Sequence, residues 1–356
     1  MKKLNNIDII NKLNKDKSLS LSEWEKLLST FTEDDAKYAS DIAREIAVSK
    51  FGKKIFFRGI VEFTNYCKND CYYCGIRCSN KNAVRYRLSK EDILDCCEEG
   101  YKYGYRTFVL QGGEDNHYTD DIMVDIVSSI HERFPDCAIT LSIGEKSKDS
   151  YEKFFEAGAN RYLLRHETAD KEHYNKLHTS ELSWEHRIKC LEELKEIGYQ
   201  TGCGLMVGSP YQTINHLAKD MVFIGEFEPE MIGIGPFIPH KDTPFKEFPA
   251  GSVDTTLFLL SLCRIMLPNA LLPATTALGT VSGEGKQLGV MAGANVVMPN
   301  LSPLSVRKKY MLYDNKAIND DDAGENLNIL KENMKKIGYE VVINKGDFKK
   351  VEYGQQ

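Results

Sequence analysis

From residue 55 onward, short apolar runs alternate with amphipathic helical stretches, and this rhythm limits the possible fold more than any other feature of the chain. The strand-like runs are IFFRGIVEF (55–63), RTFVLQGG (106–113), AITLSIG (138–144) and RYLLRHET (161–168), then TGCGLMVG (201–208), MIGIGPF (231–237), LLPATTALG (271–279) and ANVVMPN (294–300). Between them lie patterns such as SKEDILDCCEEGYKYG, SKDSYEKFFEAG and SWEHRIKCLEELKEIG. Several end in Gly just before the next run, as helix C-termini do. Apolar runs separated by helices argue for parallel strands covered on both faces. Eight such units between residues 55 and 300 predict an α/β fold, a complete (β/α)8 TIM-type barrel, with an open doubly wound sheet as the alternative.

The flanks read differently. Residues 1–52 form an expected N-terminal helical extension. SLSEWEKLL offers Ser20 or Ser22 as a cap, and TEDDAKYASDIAREIAVSKFG has acids in its first turn and Gly52 as a stop. The barrel is expected over 53–313. Residues 314–356 are expected to supply a polar loop, DNKAINDDDAGEN, and a helix, LNILKENMKKIG, packing on the barrel.

Almost every strand-like run turns polar or Gly-rich at its C-terminal end, through Glu62, Glu114, Ser142, Arg165, Glu167, Thr275, Thr276 and Asn300. Barrel enzymes carry their active sites at that rim. The first of these ends leads into CKNDCYYCGIRC. Cys67, Cys71 and Cys74 are spaced C-x3-C-x2-C, with Cys78 nearby. Structural zinc commonly takes paired knuckles, and none follows Cys78. The N-terminus shows no long apolar signal core, so a cytoplasmic, reducing location is expected, and a disulfide is disfavoured. The other six cysteines are scattered and read as small buried hydrophobes.

Three cysteines at this spacing suit a [4Fe–4S] cluster with one iron left open for the amino and carboxylate groups of S-adenosylmethionine (SAM). An electron from such a cluster cleaves the sulfonium and releases a 5′-deoxyadenosyl radical, while the protein positions the parts and excludes water. The triplet resembles the signature of the radical SAM superfamily. That resemblance makes Cys78 a non-ligand and puts Tyr73 near the adenine. It also gives Gly112, Gly113 and Glu114 of LQGGED the SAM amino group.

Further residues follow from their own chemistry. In RYLLRHETAD, Arg165 and Glu167 would point to one side of a strand, a costly pair unless matched or bound to ligand. A structural ion pair is one reading. The other gives Glu167 to SAM and Arg165 to an anionic substrate group. GLMVGSPYQT brings a Gly-rich end in which Met206 flanks a ligand, and PATTALGT offers the paired hydroxyls of Thr275 and Thr276. Met298 closes the cavity or simply packs in the core.

Nine segments in one order, FRGIVEFTNYCKNDCYYCGIR, VRYRLS, VLQGGED, TLSIGE, YLLRHETA, GLMVGSPYQT, GIGPFIPHKDTP, PATTALGT and GANVVMPN, resemble the HydE family of [FeFe]-hydrogenase maturases. The resemblance spans roughly residues 55–313. It implies a radical SAM enzyme that helps build the diiron subcluster of the hydrogenase, acting on a cysteine-bound iron species with CO and cyanide. It implies SAM contacts from Ser142, Glu167 and Arg187, and substrate contacts from Arg165, Thr275, Thr276 and Tyr310. Expected partners are that small anionic substrate, transiently the other maturases, and a reductant such as flavodoxin or ferredoxin. Some family members have extra cysteines after the eighth strand for a second cluster. Here Cys263 is the last cysteine, so a single cluster is expected.

Two other readings compete. One is a radical SAM mutase or synthase on a free amino acid, like methylornithine synthase or biotin synthase. The other is a non-catalytic scaffold with structural zinc. A net charge of −6 disfavours general nucleic-acid binding, and no apolar run is long enough to cross a bilayer.

Overall fold

Among the described residues, nine strands carry the architecture: β1 (Lys54–Phe57), β2 (Gly59–Thr64), β3 (Thr107–Gly112), β4 (Ala138–Ser142), β5 (Ala159–Leu163), β6 (Gln200–Val207), β7 (Met231–Pro236), β8 (Val296–Val297) and β9 (Glu340–Val342). They come from a computed structural model that describes residues 5–316 and 323–349. Strands β2 to β7 form one parallel sheet in sequence order. A second parallel sheet has the order β8-β1-β9. Isolated parallel bridges, Met231 to Leu271, Pro273 to Val296 and Ile60 to Asn300, lie between the two.

The pairing departs from a ring of eight full strands in four places. The first run breaks at Arg58 into β1 and β2. The seventh makes only the bridges at Leu271 and Pro273, and a helix, Thr276–Val281, begins inside it. Pro273 has no N–H to continue a ladder, and Thr275 sits in the extended conformation of an N-cap. The eighth shrinks to Val296–Val297, with Pro299 close behind. The fourth run also stops early. Beyond Leu163, the His166 ring takes the Gly204 N–H at 3.2 Å, and Glu167 turns to φ 65°.

The helices begin where the sequence offers a cap. Ser89, Thr119, Ser147, Ser183 and Ser252 each accept a backbone N–H three residues on, a contact of about 1 kcal/mol each. At the N-terminus, α1 (Asn6–Asp16), α2 (Leu21–Thr30) and α3 (Glu33–Phe51) follow the expected pattern. Ser20 caps α2 in a box with Glu23, and Gly52 ends α3 at φ 64°. The buried stripe of α3 is Ala39, Ala43 and Ala47, small enough for close approach to the helix Val253–Met266. The six scattered cysteines are all buried.

After the helix Ala323–Lys336, the chain adds β9 beside β1, a strand the helical reading of this tail did not contain. Of the loop expected over 314–326, residues 317–322 lie outside the described residues. The following Lys345–Phe348 segment caps the N-terminal end of the sheet. Arg161, fully buried, donates to Asp347 at 2.6 Å and to the Lys345 carbonyl at 2.9 Å. Because every strand of the larger sheet runs parallel, all its C-terminal ends gather at the opposite rim.

Candidate active site

The cysteine loop starts where β2 ends and is tied from within and from afar. The Asn65 amide donates to the carbonyls of Val84 at 2.8 Å and Lys309 at 2.7 Å. The Arg85 guanidinium donates to the carbonyls of Asn65, Ile76, Arg77 and Asn80. Asp70 takes a two-pronged contact from Arg77 and the Ser79 N–H, and the Arg77 guanidinium beside it holds its carboxyl well below the usual range. Gly75 donates to Leu312, and a Cβ there would meet the Met311 carbonyl at 2.2 Å.

This frame leaves Cys67, Cys71 and Cys74 half-buried, while Cys78 is exposed. Burial pushes all three thiols up, Cys74 to about 12, and neighbouring cysteines raise the Cys71 and Cys74 thiols further. Among the described residues, no three His, Cys, Asp or Glu side chains group closely enough to hold one metal ion. A cubane takes its three thiolates on three separate irons.

The second rim segment presses directly on this loop. At Gly113 a Cβ would stand 2.1 Å from the Tyr66 carbonyl oxygen and 2.8 Å from Cys67 Cβ, so only glycine fits. Gly112 ends β3 under Thr64. The Glu114 carboxylate is already engaged. It accepts the Glu145 N–H at 3.0 Å, lies 3.4 Å from Lys68 Nζ, and covers Gly144, whose φ is 75°. Ser142 ends β4 beside Gln111 and is half-buried.

Arg187 is the clearest departure from its sequence context. It sits on the helix Trp184–Ile197, yet it is buried. Its Nε donates to Glu145 and its Nη1 to the Arg165 carbonyl at 2.7 Å, and its charge lowers the pKa of the Cys71 thiol. Glu145, which no sequence argument singled out, orients it. Tyr73 and Met206 meet in one apolar cluster with Leu177, Phe237 and Phe245. Tyr73 Oη lies 3.1 Å from His178 Nε2. The other ring nitrogen contacts the Tyr174 carbonyl at 2.9 Å, an acceptor only, so Nδ1 carries the proton and Nε2 accepts from Tyr73. Burial drives the His178 pKa down to about 3, so the ring is neutral.

Arg165 and Glu167 do meet, with Nη2 and Oε2 3.0 Å apart. The contact is misaligned for a hydrogen bond. Arg165 Nε and Nη2 and Glu167 Oε2 are buried with no hydrogen-bond partner, as is Thr275 Oγ1. Glu167 holds a left-handed backbone, a strained state for a residue with a side chain. Thr275 precedes the short helix without capping it, and Thr276 is that helix's first residue. Tyr310 is buried, with a side-chain hydrogen bond to Gln111. Met298, by contrast, packs on the Met231, Leu271 and Val296 cluster, as a core residue does. His166 is a core residue too, 3.4 Å from buried Asp220.

Two features had no sequence signal. Tyr313 bonds Thr280 and lies near Arg165, with its hydroxyl pushed up to about 12 by burial. Lys316 forms a buried ion pair with Glu62, whose other oxygen accepts Asn300 at 2.8 Å, and also donates to the Tyr310 carbonyl at 3.0 Å.

The chain is 46% identical over 275 residues to the [FeFe] hydrogenase maturase subunit HydE of Thermotoga maritima, covering 77% of this chain and 78% of that one. The family model described as the Radical SAM superfamily matches residues 61–224. The chain belongs to the HydE family of radical SAM enzymes. A 3-methylornithine synthase of Methanosarcina acetivorans is 30% identical over 281 residues, 78% of this chain and 79% of that one. The crystal structure of methylornithine synthase (PylB) superposes with a TM-score of 0.83 at 27% identity, covering 94% of this chain and 97% of that one. The maturase HydG matches in fold, with a TM-score of 0.79 at 19% identity over 95% of this chain and 76% of that one. As a HydE-family chain, it has the family's TIM-barrel-like α/β fold. No helix among the described residues is long and apolar enough to cross a membrane.

Proposed function

We propose that this chain holds one [4Fe–4S] cluster on Cys67, Cys71 and Cys74, binds SAM beside it, and acts in assembly of the diiron subcluster of [FeFe]-hydrogenase. The observation that carries the reading is the 46% identity to a HydE maturase together with thiols, buried Arg187 and an Arg165 guanidinium with two buried nitrogens lacking hydrogen bonds at one rim. When bound, the cluster and SAM supply a one-electron reduction that yields a 5′-deoxyadenosyl radical. The residues fit both groups. The buried donors and acceptors without partners await a ligand, since each left so costs about 1–3 kcal/mol.

The chain's own part is positioning. Arg187, oriented by Glu145, offers its cation to the SAM carboxylate. Gly112, Gly113 and Glu114 offer acceptors to the amino group, the Glu114 carboxylate keeping free lone pairs beside its bond from the Glu145 N–H. Ser142 and Glu167 face the ribose and sulfonium, and Tyr73 and Met206 bracket the adenine. Arg165, Thr275, Thr276 and Tyr310 receive a small anionic iron species bearing CO and cyanide on a cysteine. The three isolated bridges support a closed eight-unit barrel over 53–313, after an N-terminal extension of residues 1–52 and before a C-terminal segment from 314. A cytoplasmic location, a single cluster and transient contact with the other maturases complete the proposal.

The likeness to methylornithine synthase favours a second reading, a mutase or synthase on a free amino acid, because Arg165 also suits a carboxylate. Anaerobic reconstitution with iron and sulfide tests the main reading, with about four irons per chain expected. Reduced holoprotein should cleave SAM and, with the other maturases, activate apo-hydrogenase. Uptake of zinc alone without SAM cleavage overturns the radical reading. SAM cleavage with no effect on hydrogenase activation favours the amino-acid reading.

A further inference from the structure

Five non-glycine residues among the described ones hold a positive φ, and Glu167 is the only one of the five that is buried. A left-handed turn of this kind persists where its surroundings over-determine it. Before the turn, the Arg165 carbonyl accepts Arg187 Nη1 at 2.7 Å. At the turn, the Glu167 N–H donates to the Gly204 carbonyl at 3.0 Å. Gly204 also donates its own N–H to His166 Nδ1 at 3.2 Å, so one residue of β6 ties both sides of the 166–167 peptide. Gly204 is itself packed hard on β7, where a Cβ would meet the Gly233 carbonyl oxygen at 2.1 Å. After the turn, the Ala169 N–H donates to Asp220 Oδ1 at 2.5 Å. Beside burial and, for Cys74, the Cys67 thiol, the Glu167 charge raises the Tyr73 hydroxyl and the Cys74 thiol, so its carboxylate lies on the cysteine-loop side.

Two of these ties come from side chains that the proposed site leaves unused. His166 and Asp220 have no exposure to water, and Asp220 comes from the helix Ile214–Phe227, which packs on β6. Because His166 Nδ1 accepts the Gly204 N–H, the ring proton sits on Nε2, which faces Asp220 Oδ1 at 3.4 Å. That contact is misaligned, and His166 Nε2 and Asp220 Oδ2 are both buried without a hydrogen bond. As a device for stability the pair is poor. What each group does well is fix backbone, one on either side of Glu167. We propose that His166 and Asp220 are positioning residues, which together hold the left-handed turn that aims the Glu167 carboxylate into the site. Each acts through Glu167 rather than on SAM itself. The inference rests on the proposed contact of Glu167 with SAM.

The test uses reconstituted holoenzyme reduced with dithionite. It reads the SAM concentration that half-converts the electron paramagnetic resonance signal of the reduced cluster, with iron content and melting temperature alongside. The amide oxygen of Asn falls near the place of His Nδ1, and that of Gln near Nε2. His166→Asn should therefore keep the Gly204 bond and titrate within about threefold of wild type, while His166→Gln should need on the order of tenfold more SAM. Asp220→Asn keeps an oxygen for the Ala169 N–H and should titrate as wild type does, while Asp220→Leu should lose as much as His166→Gln. Glu167→Ala should weaken SAM at least as far, and adding His166→Gln to it should cost nothing more, because the group being positioned is gone. Should His166→Gln fail to load iron, Asp220→Leu takes its place in both comparisons. Additive losses in the double variant overturn the inference, since the ring would then act by another route. So does equal weakening by Asn and Gln at 166 in step with melting temperature, which reduces the ring to packing. His166→Gln and Asp220→Leu that both titrate as wild type overturn it as well. Wild type that binds SAM while Glu167→Ala binds it equally well overturns the inference alone. Wild type that loads iron yet neither binds nor cleaves SAM overturns the radical reading, and the inference with it.

Discussion

Arg165 and Glu167 carry opposite charges 3.0 Å apart, yet they leave three polar atoms unsatisfied. That is a poor structural ion pair and a good receptor for an anion. Replacing Arg165 with Ala should lower hydrogenase activation by about 10–100-fold, the value of a charged hydrogen bond, while SAM cleavage falls far less. Equal losses would move Arg165 to the cofactor. Cys74→Ala should abolish cluster and SAM cleavage, and exposed Cys78→Ala should keep both, as read by iron content and visible absorbance. Asp115 tests the frame. Burial raises its carboxyl, but Arg87, the His117 N–H and the Thr64 hydroxyl outweigh this and hold it low. Its contribution is therefore complete above the unfolded carboxylate range near ~4 and is lost as pH falls through the lower folded value. Asp115→Asn should destabilise the protein by about 1–3 kcal/mol at pH 7, with the gap in melting temperature closing as pH drops below ~4. The cysteines and Arg165 were legible because spacing or costly charge marks them within a few residues. Glu145, His178, Tyr313 and Lys316 were not, because their roles arise from contacts across the fold.

At the scale of elements, glycine decides how closely two rim segments stack. Gly113→Ala would drive a methyl against the Tyr66 carbonyl and Cys67 Cβ, so iron retention on reconstitution should fall by about tenfold or more. Gly283→Ala meets nothing within 4 Å and should leave iron content unchanged. Wild-type iron content in Gly113→Ala would show that the loop moves freely. Strand and helix positions through β7 were readable because period and caps agree there. The run 271–279 misled because apolar residues with two threonines suit a strand as well as a capped helix, and Pro273 decides between them only in context. Likewise β9 is three residues long, and only its pairing with β1 makes it a strand.

For the molecule as a whole, the C-terminal segment is built into the sheet system through β9. Arg161 has no exposure to water, and Asp347 supplies its carboxylate from the C-terminal segment. Asp347→Ala should cost about 2–3 kcal/mol, somewhat less than a fully buried pair because Asp347 is half-exposed, measured as a lower melting temperature. An unaltered melting temperature would mean that the tail is only loosely applied. The ties on the cysteine loop reach equally far. Asn65 is held by the carbonyl of Lys309, 244 residues later in the chain. At roughly 5–20 residues per second, the ribosome makes that clasp about 12 to 50 s after the cysteines. The loop that would hold the cluster is thus completed only after residue 309 has been made, long after the cysteines themselves.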